Sequence, residues 1–239
     1  MKKYKLTSTT KTLDDGTVLY QIQALIDIPN VCKKGDLGGW IQSEKNLDQE
    51  GKCWVSDNAR VFGNARVFGN AMVSDNALVY GDARVSGDAQ VYGDARVYGD
   101  ARVYAHAQVY GDAWVSGNAR VSGNARVYAH AQVYYGDARV YAHAQVYGDA
   151  RVSGDARVYG DARVYGDARV YAHAQVYGDA RVYGDARVYV PIDFDCDFNP
   201  WQEVLDIINK KENLPRLLGL SDNFDKIIAQ KLKGGPNER

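Results

Sequence analysis

No stretch of this 239-residue chain approaches 18 consecutive apolar residues, so nothing in it reads as a membrane-spanning helix. The amino terminus, MKKYKLTSTTKT, lacks the apolar run of a secretory signal. Cysteine is scarce. Cys32, Cys53 and Cys196 are odd in number and have no C-x-x-C spacing, which argues against a disulfide framework and for a reduced, cytoplasmic setting. An excess of either charge is also missing, with 29 Lys and Arg against 30 Asp and Glu. Residues 53–188 hold 14 Asp, 14 Arg and neither Lys nor Glu. Such balance excludes a surface whose main task is to grip nucleic acid, and equally an acidic nucleic-acid mimic. No Gly-rich phosphate cradle and no Ser/His/Asp or Cys/His constellation stands out, and the sequence calls for no cofactor.

What the chain has is one phrase, G-D-A-R-V-Y, repeated every six residues. Valine falls at every sixth position from Val55 to Val133, then from Val140 to Val188 after one extra residue, Tyr135. Alanine stands two places before each valine except the first, where Cys53 takes its place and reads as a small buried hydrophobe. Alternation within A-x-V points Ala and Val inward, and a corner every six residues closes three short strands into a coil of 18. Coils stacked about 4.8 Å apart make an all-β solenoid of about 7.5 coils, roughly 36 Å long. The second corner position is Asp, Asn or His in every hexad, the residues most tolerant of positive φ, so the left-handed residue is expected there.

The small-x-aliphatic hexad, seen in Ala59-Arg60-Val61 and in each later repeat, resembles the hexapeptide-repeat, left-handed parallel β-helix proteins. The segments Gly35-Asp36-Leu37-Gly38-Gly39-Trp40 and Gln49-Glu50-Gly51-Lys52-Cys53-Trp54 resemble YdcK-like hexapeptide proteins of bacteria and temperate phages. These resemblances imply a left-handed β-helix over 53–190, the cytoplasm of a bacterial host cell, and two kinds of activity. One is a phage or prophage accessory protein that binds a protein, such as a host defence component. The other is acyl transfer from acyl-coenzyme A, against which stands the lack of a long loop interrupting the repeat. Residues 1–52 read as a capping segment with a hairpin around Asp14-Asp15-Gly16. Residues 191–239 read as a strand carrying Asp193, Asp195 and Asp197, followed by two short helices after Asn199-Pro200 and near Ser221 that form a cap or an oligomer interface.

The four histidines, His106, His130, His143 and His173, share one cassette, Tyr-Ala-His-Ala-Gln, and fall on corners too far apart to share a metal ion within one subunit. They read as corner residues, so no catalytic or metal role is assigned. Sorting the outward positions by face yields the binding candidates. Tyr92, Tyr110, Tyr128, Tyr147, Tyr165 and Tyr183 follow valine on one face, one coil apart. Arg102, Arg120 and Arg139 lie in an arginine row on another, which the corner aspartates are expected to neutralise. Trp114, Tyr134 and Tyr135 form an expected aromatic cluster at the single slip. Tyr and Arg are enriched at protein interfaces. The expectation is a non-catalytic protein that binds a host partner or itself as a dimer or trimer, and neither nucleic acid nor membrane. A self-assembling structural rod is the remaining reading.

Overall fold

The computed structural model describes residues 2–188. The repeat is written directly into it: each x-Val pair forms a short strand, from Trp54–Val55 to Arg187–Val188, two residues long except at Gln132–Tyr134 and Arg151–Ser153, which have three. Each strand pairs in parallel with the strand one coil away, as in Val91 with Val109 and Val103 with Val121. The ladders gather into three sheets of 11, 8 and 7 strands. The result is a parallel β-solenoid whose inward alanines and valines are buried along its length. Ala beside each corner keeps the interior narrow, while β-branched Val fills the middle of each strand.

The corners correct one expectation. Positive φ falls on the first corner residue, as at Gly63, Asp57, Asp75, Ala105, Ala129, Ala142 and Ala172, and on no Asp, Asn or His of the second. Positive φ at the first central residue alone is the pattern of a type II′ turn, which favours Gly there. Crowding adds to this, because a Cβ built on Gly93 would lie 2.9 Å from the backbone nitrogen of Gly111 one coil on. The second corner residue serves the stack instead. Asn64 donates to Asp82 at 3.1 Å and Asn70 to Asp88 at 3.0 Å.

The amino-terminal hairpin forms as expected, with β1 (Tyr4–Thr12) and β2 (Val18–Ala24) antiparallel around a turn in which Gly16 has φ +85. A third strand, β3 (Leu37–Ile41), pairs antiparallel with β2 and parallel with Arg60–Val61. Leu47 then bridges Val67 in parallel, so the parallel ladder extends upstream of Cys53. Gly38 and Gly39 are fixed by packing. A Cβ on Gly38 would meet Val55 O at 2.6 Å, and one on Gly39 would meet Ala59 O at 2.8 Å. The expected strand with Asp193, Asp195 and Asp197, the residue Cys196 and both expected carboxy-terminal helices lie outside the described residues. Among the described residues no helix is long and apolar enough to cross a membrane.

Candidate functional site

Stacking one coil on another turns each sequence column into a physical ladder. Tyr92, Tyr110, Tyr128, Tyr147, Tyr165 and Tyr183 form one continuous stack, with ring centroids 4.8–5.4 Å apart and planes within 14° of parallel. Partial burial by neighbouring rings raises the phenol pKa of Tyr92, Tyr110, Tyr128 and Tyr147, while Arg126 or Arg163 nearby pulls the other way. The stack is therefore a neutral, hydroxyl-edged strip about 25 Å long.

The arginine row is also in register: Arg66, Arg84, Arg102, Arg120, Arg139 and Arg157 stand directly above one another. Its expected neutralisation by direct pairing does not occur. Among the described residues, Arg181 aside, no repeat arginine comes within 4 Å of a corner carboxylate. Asp and the Arg two places later are separated by about 6.8 Å of extended chain. The aspartates turn along the corner instead, where Asp88, Asp112 and Asp155 meet His106, His130 and His173 at 3.4–3.5 Å. His143 lies 3.5 Å from Asn124. The histidines thus sit at corners, as expected. Among the described residues no group of three or more His, Cys, Asp or Glu could hold a metal ion.

At the slip, Tyr135 and Gly136 both take positive φ, and Tyr135 is 73% exposed. Tyr134 and Tyr135 meet edge to face at 4.9 Å. Trp114 does not join them, because the Arg96 guanidinium covers its ring at 5.1 Å. The expected three-ring cluster is a pair.

A family model described as the YdcK beta solenoid repeat matches residues 65–81, 77–93, 89–105, 107–121, 119–135, 144–160, 156–172 and 174–189. A protein named uncharacterized acetyltransferase YdcK, from Escherichia coli strain K12, is 42% identical over 71 residues, a match covering 26% of this chain and 22% of the relative. This is a YdcK-like β-solenoid protein.

Within this YdcK-like array, sequence reasoning missed the polar groups that tie the amino-terminal segment to the coils. Lys3 is only 2% exposed, and its Nζ donates to the carbonyls of Glu50 and Cys53 and to Cys53 Sγ at 3.2 Å. Cys53 is inward and buried as expected, with its thiol pKa raised by burial, yet it also accepts a hydrogen bond. Buried Asn46 donates to Gly63 O at 3.0 Å and Ala65 O at 2.9 Å. Neither Lys3 nor Asn46 belongs to the repeat, so no period could point to them. A cleft of about 520 Å³ is lined by Pro29, Asn30 and Val31 together with Met72, Gln90 and Tyr92, at the start of the tyrosine face.

Proposed function

We propose that this chain is a non-catalytic interaction protein of phage or prophage origin, wound as a left-handed parallel β-helix, that docks a protein partner on its tyrosine ladder and arginine row. The partner is a second copy of the chain or a host protein such as a defence component, met in the cytoplasm. The observation that carries this reading is the uninterrupted six-ring stack from Tyr92 to Tyr183. Stacked rings are already ordered, so docking on them costs less side-chain entropy than docking on mobile chains. The length of about 25 Å matches one side of a standard interface of about 800 Å² per partner. Unpaired Arg102, Arg120 and Arg139 on the adjoining face add donors for a partner's carboxylates. The triple replacement Tyr110→Ser, Tyr128→Ser and Tyr147→Ser tests it by light scattering and partner capture. Loss of the oligomer or of the partner supports the reading. A variant unchanged in both sinks it.

A second reading, acyl transfer, is favoured by the name of the Escherichia coli relative and by the three His–Asp contacts. An enzyme of that kind melts at a higher temperature with acetyl-coenzyme A present, because a ligand that binds only the folded state stabilises it. No shift at about millimolar ligand, roughly a thousandfold above a micromolar Kd, counts against it.

A further inference from the structure

The arginine face carries a second aromatic column in which the gaps are as informative as the rungs. After valine it reads Phe68, Ser86, Tyr104, Ser122, Tyr141, Tyr159 and Tyr177. Tyr141, Tyr159 and Tyr177 stack at 4.9 and 5.2 Å, one ring per coil. Phe68 and Tyr104 stand two coils apart with only the Ser86 hydroxymethyl between them, which leaves the place of one ring. The backbone passes this point undisturbed: Phe68 N donates to Val85 O at 3.0 Å and Ser86 N to Val103 O at 2.9 Å. A cleft of about 240 Å³ fills the vacancy, lined by Phe68, Arg84, Ser86, Arg102, Tyr104 and Arg120. Tyr104, without ring neighbours, is 39% exposed.

The charges around the vacancy are uncommitted. Among the described residues the guanidiniums of Arg84, Arg102 and Arg120 make no hydrogen bond or ion pair. Of the nearby carboxylates, Asp82 and Asp88 are engaged along the corners by Asn64, Asn70 and His106, and Asp100, two residues before Arg102, makes no ion pair with it. A ring-sized slot between two aromatic faces selects a planar group, and three guanidiniums in a row select an anion, with the bidentate geometry that suits phosphate. The cleft is smaller than the roughly 300–1,000 Å³ of sites that enclose drug-sized ligands, so it fits one ring system with its anion at the open side.

We propose that the cleft at Ser86 binds a purine mononucleotide. The base supplies the missing rung between Phe68 and Tyr104, and Arg84, Arg102 and Arg120 hold the phosphate. This site lies on a different face from the tyrosine ladder and does not rest on the docking reading. Titration calorimetry with adenosine 5′-monophosphate, adenosine and inorganic phosphate tests it, using the parent, Ser86→Tyr and Arg102→Gln. Both replacements install a residue that the repeat itself uses at the same hexad position, so the coil is preserved. The expected result is that adenosine 5′-monophosphate binds more tightly than either adenosine or phosphate. Ser86→Tyr, which fills the slot, then weakens it roughly tenfold or more. Arg102→Gln weakens the nucleotide but not adenosine. The proposal is overturned if the nucleotide does not bind at millimolar concentration, if Ser86→Tyr binds it as well as the parent, or if phosphate alone binds as tightly as the nucleotide.

Discussion

At the corners, two demands act on adjacent residues, and composition alone cannot separate them. Asp, Asn and His tolerate positive φ, but they also hydrogen-bond sideways, and the second demand is the one that places them at the second corner position. Alanine at position 105 misleads a reader of the sequence, because it occupies the left-handed residue at φ +60 without being glycine. That conformation costs an L-residue about 1–2 kcal/mol, while glycine loses about 0.5–1 kcal/mol more backbone entropy on folding. Ala105→Gly is therefore expected to raise stability by about 0.5–1 kcal/mol, read from the denaturant midpoint. The tyrosines make a second residue-scale prediction. Burial raises the pKa of Tyr80, Tyr92, Tyr110, Tyr128, Tyr141 and Tyr147 above the ordinary phenol value of about 10. On raising the pH above that value the unfolded chain loses these protons first, so it binds fewer than the folded chain and stability falls. The contribution is fully present below pH 10 and is lost as the folded phenols ionise. Ultraviolet titration of native and urea-unfolded protein checks this, and coincident tyrosinate curves would refute it.

At the scale of elements, the repeat strands were legible because a two-residue strand needs only the A-x-V alternation and a corner. The hairpin was legible for the same local reason, a turn of Asp14-Asp15-Gly16 between two alternating runs. The join between hairpin and coils was not, since it depends on groups far apart in sequence. Asn46 reaches 17 and 19 residues along the chain to the carbonyls of Gly63 and Ala65, of which the second would otherwise be buried without a donor. Asn46→Ala removes both bonds, and the expected loss is about 1–3 kcal/mol per orphaned group, measured by urea unfolding. Gln42→Ala is the matched control. Gln42 Oε1 accepts from Gly63 N at 2.8 Å in an exposed setting, where water can replace it, so its loss is expected to be smaller. Equal losses would mean that burial of Asn46 contributes nothing.

At the scale of the whole molecule, core and surface obey different periods. The buried Ala and Val repeat every six residues, whereas the outward columns repeat every 18, or 19 across Tyr135. The fold was readable because the short period is nearly perfect. The faces are harder to read, since their meaning lies in which columns carry Tyr, Arg or Ser. The two periods can be separated by deletion. Removing one hexad, residues 111–116, keeps every inward position correct but turns all later coils by one face. The tyrosine ladder is then cut: Tyr134 follows Tyr92 and Tyr110 on one face, and Tyr128 to Tyr183 move to another, where they follow Tyr104. Removing one coil, residues 111–128, instead stacks Tyr110 on Tyr147 and leaves a ladder one rung shorter. Solenoid stability is close to a sum over coils and their nearest-neighbour contacts, so both deletions are expected to fold, by circular dichroism and melting, with modest losses. Docking that needs the whole ladder and arginine row in one register is expected to survive the 18-residue deletion and to weaken in the six-residue one. A six-residue deletion that folds and docks as tightly as the parent would show that Tyr92 and Tyr110 are no part of the docking surface.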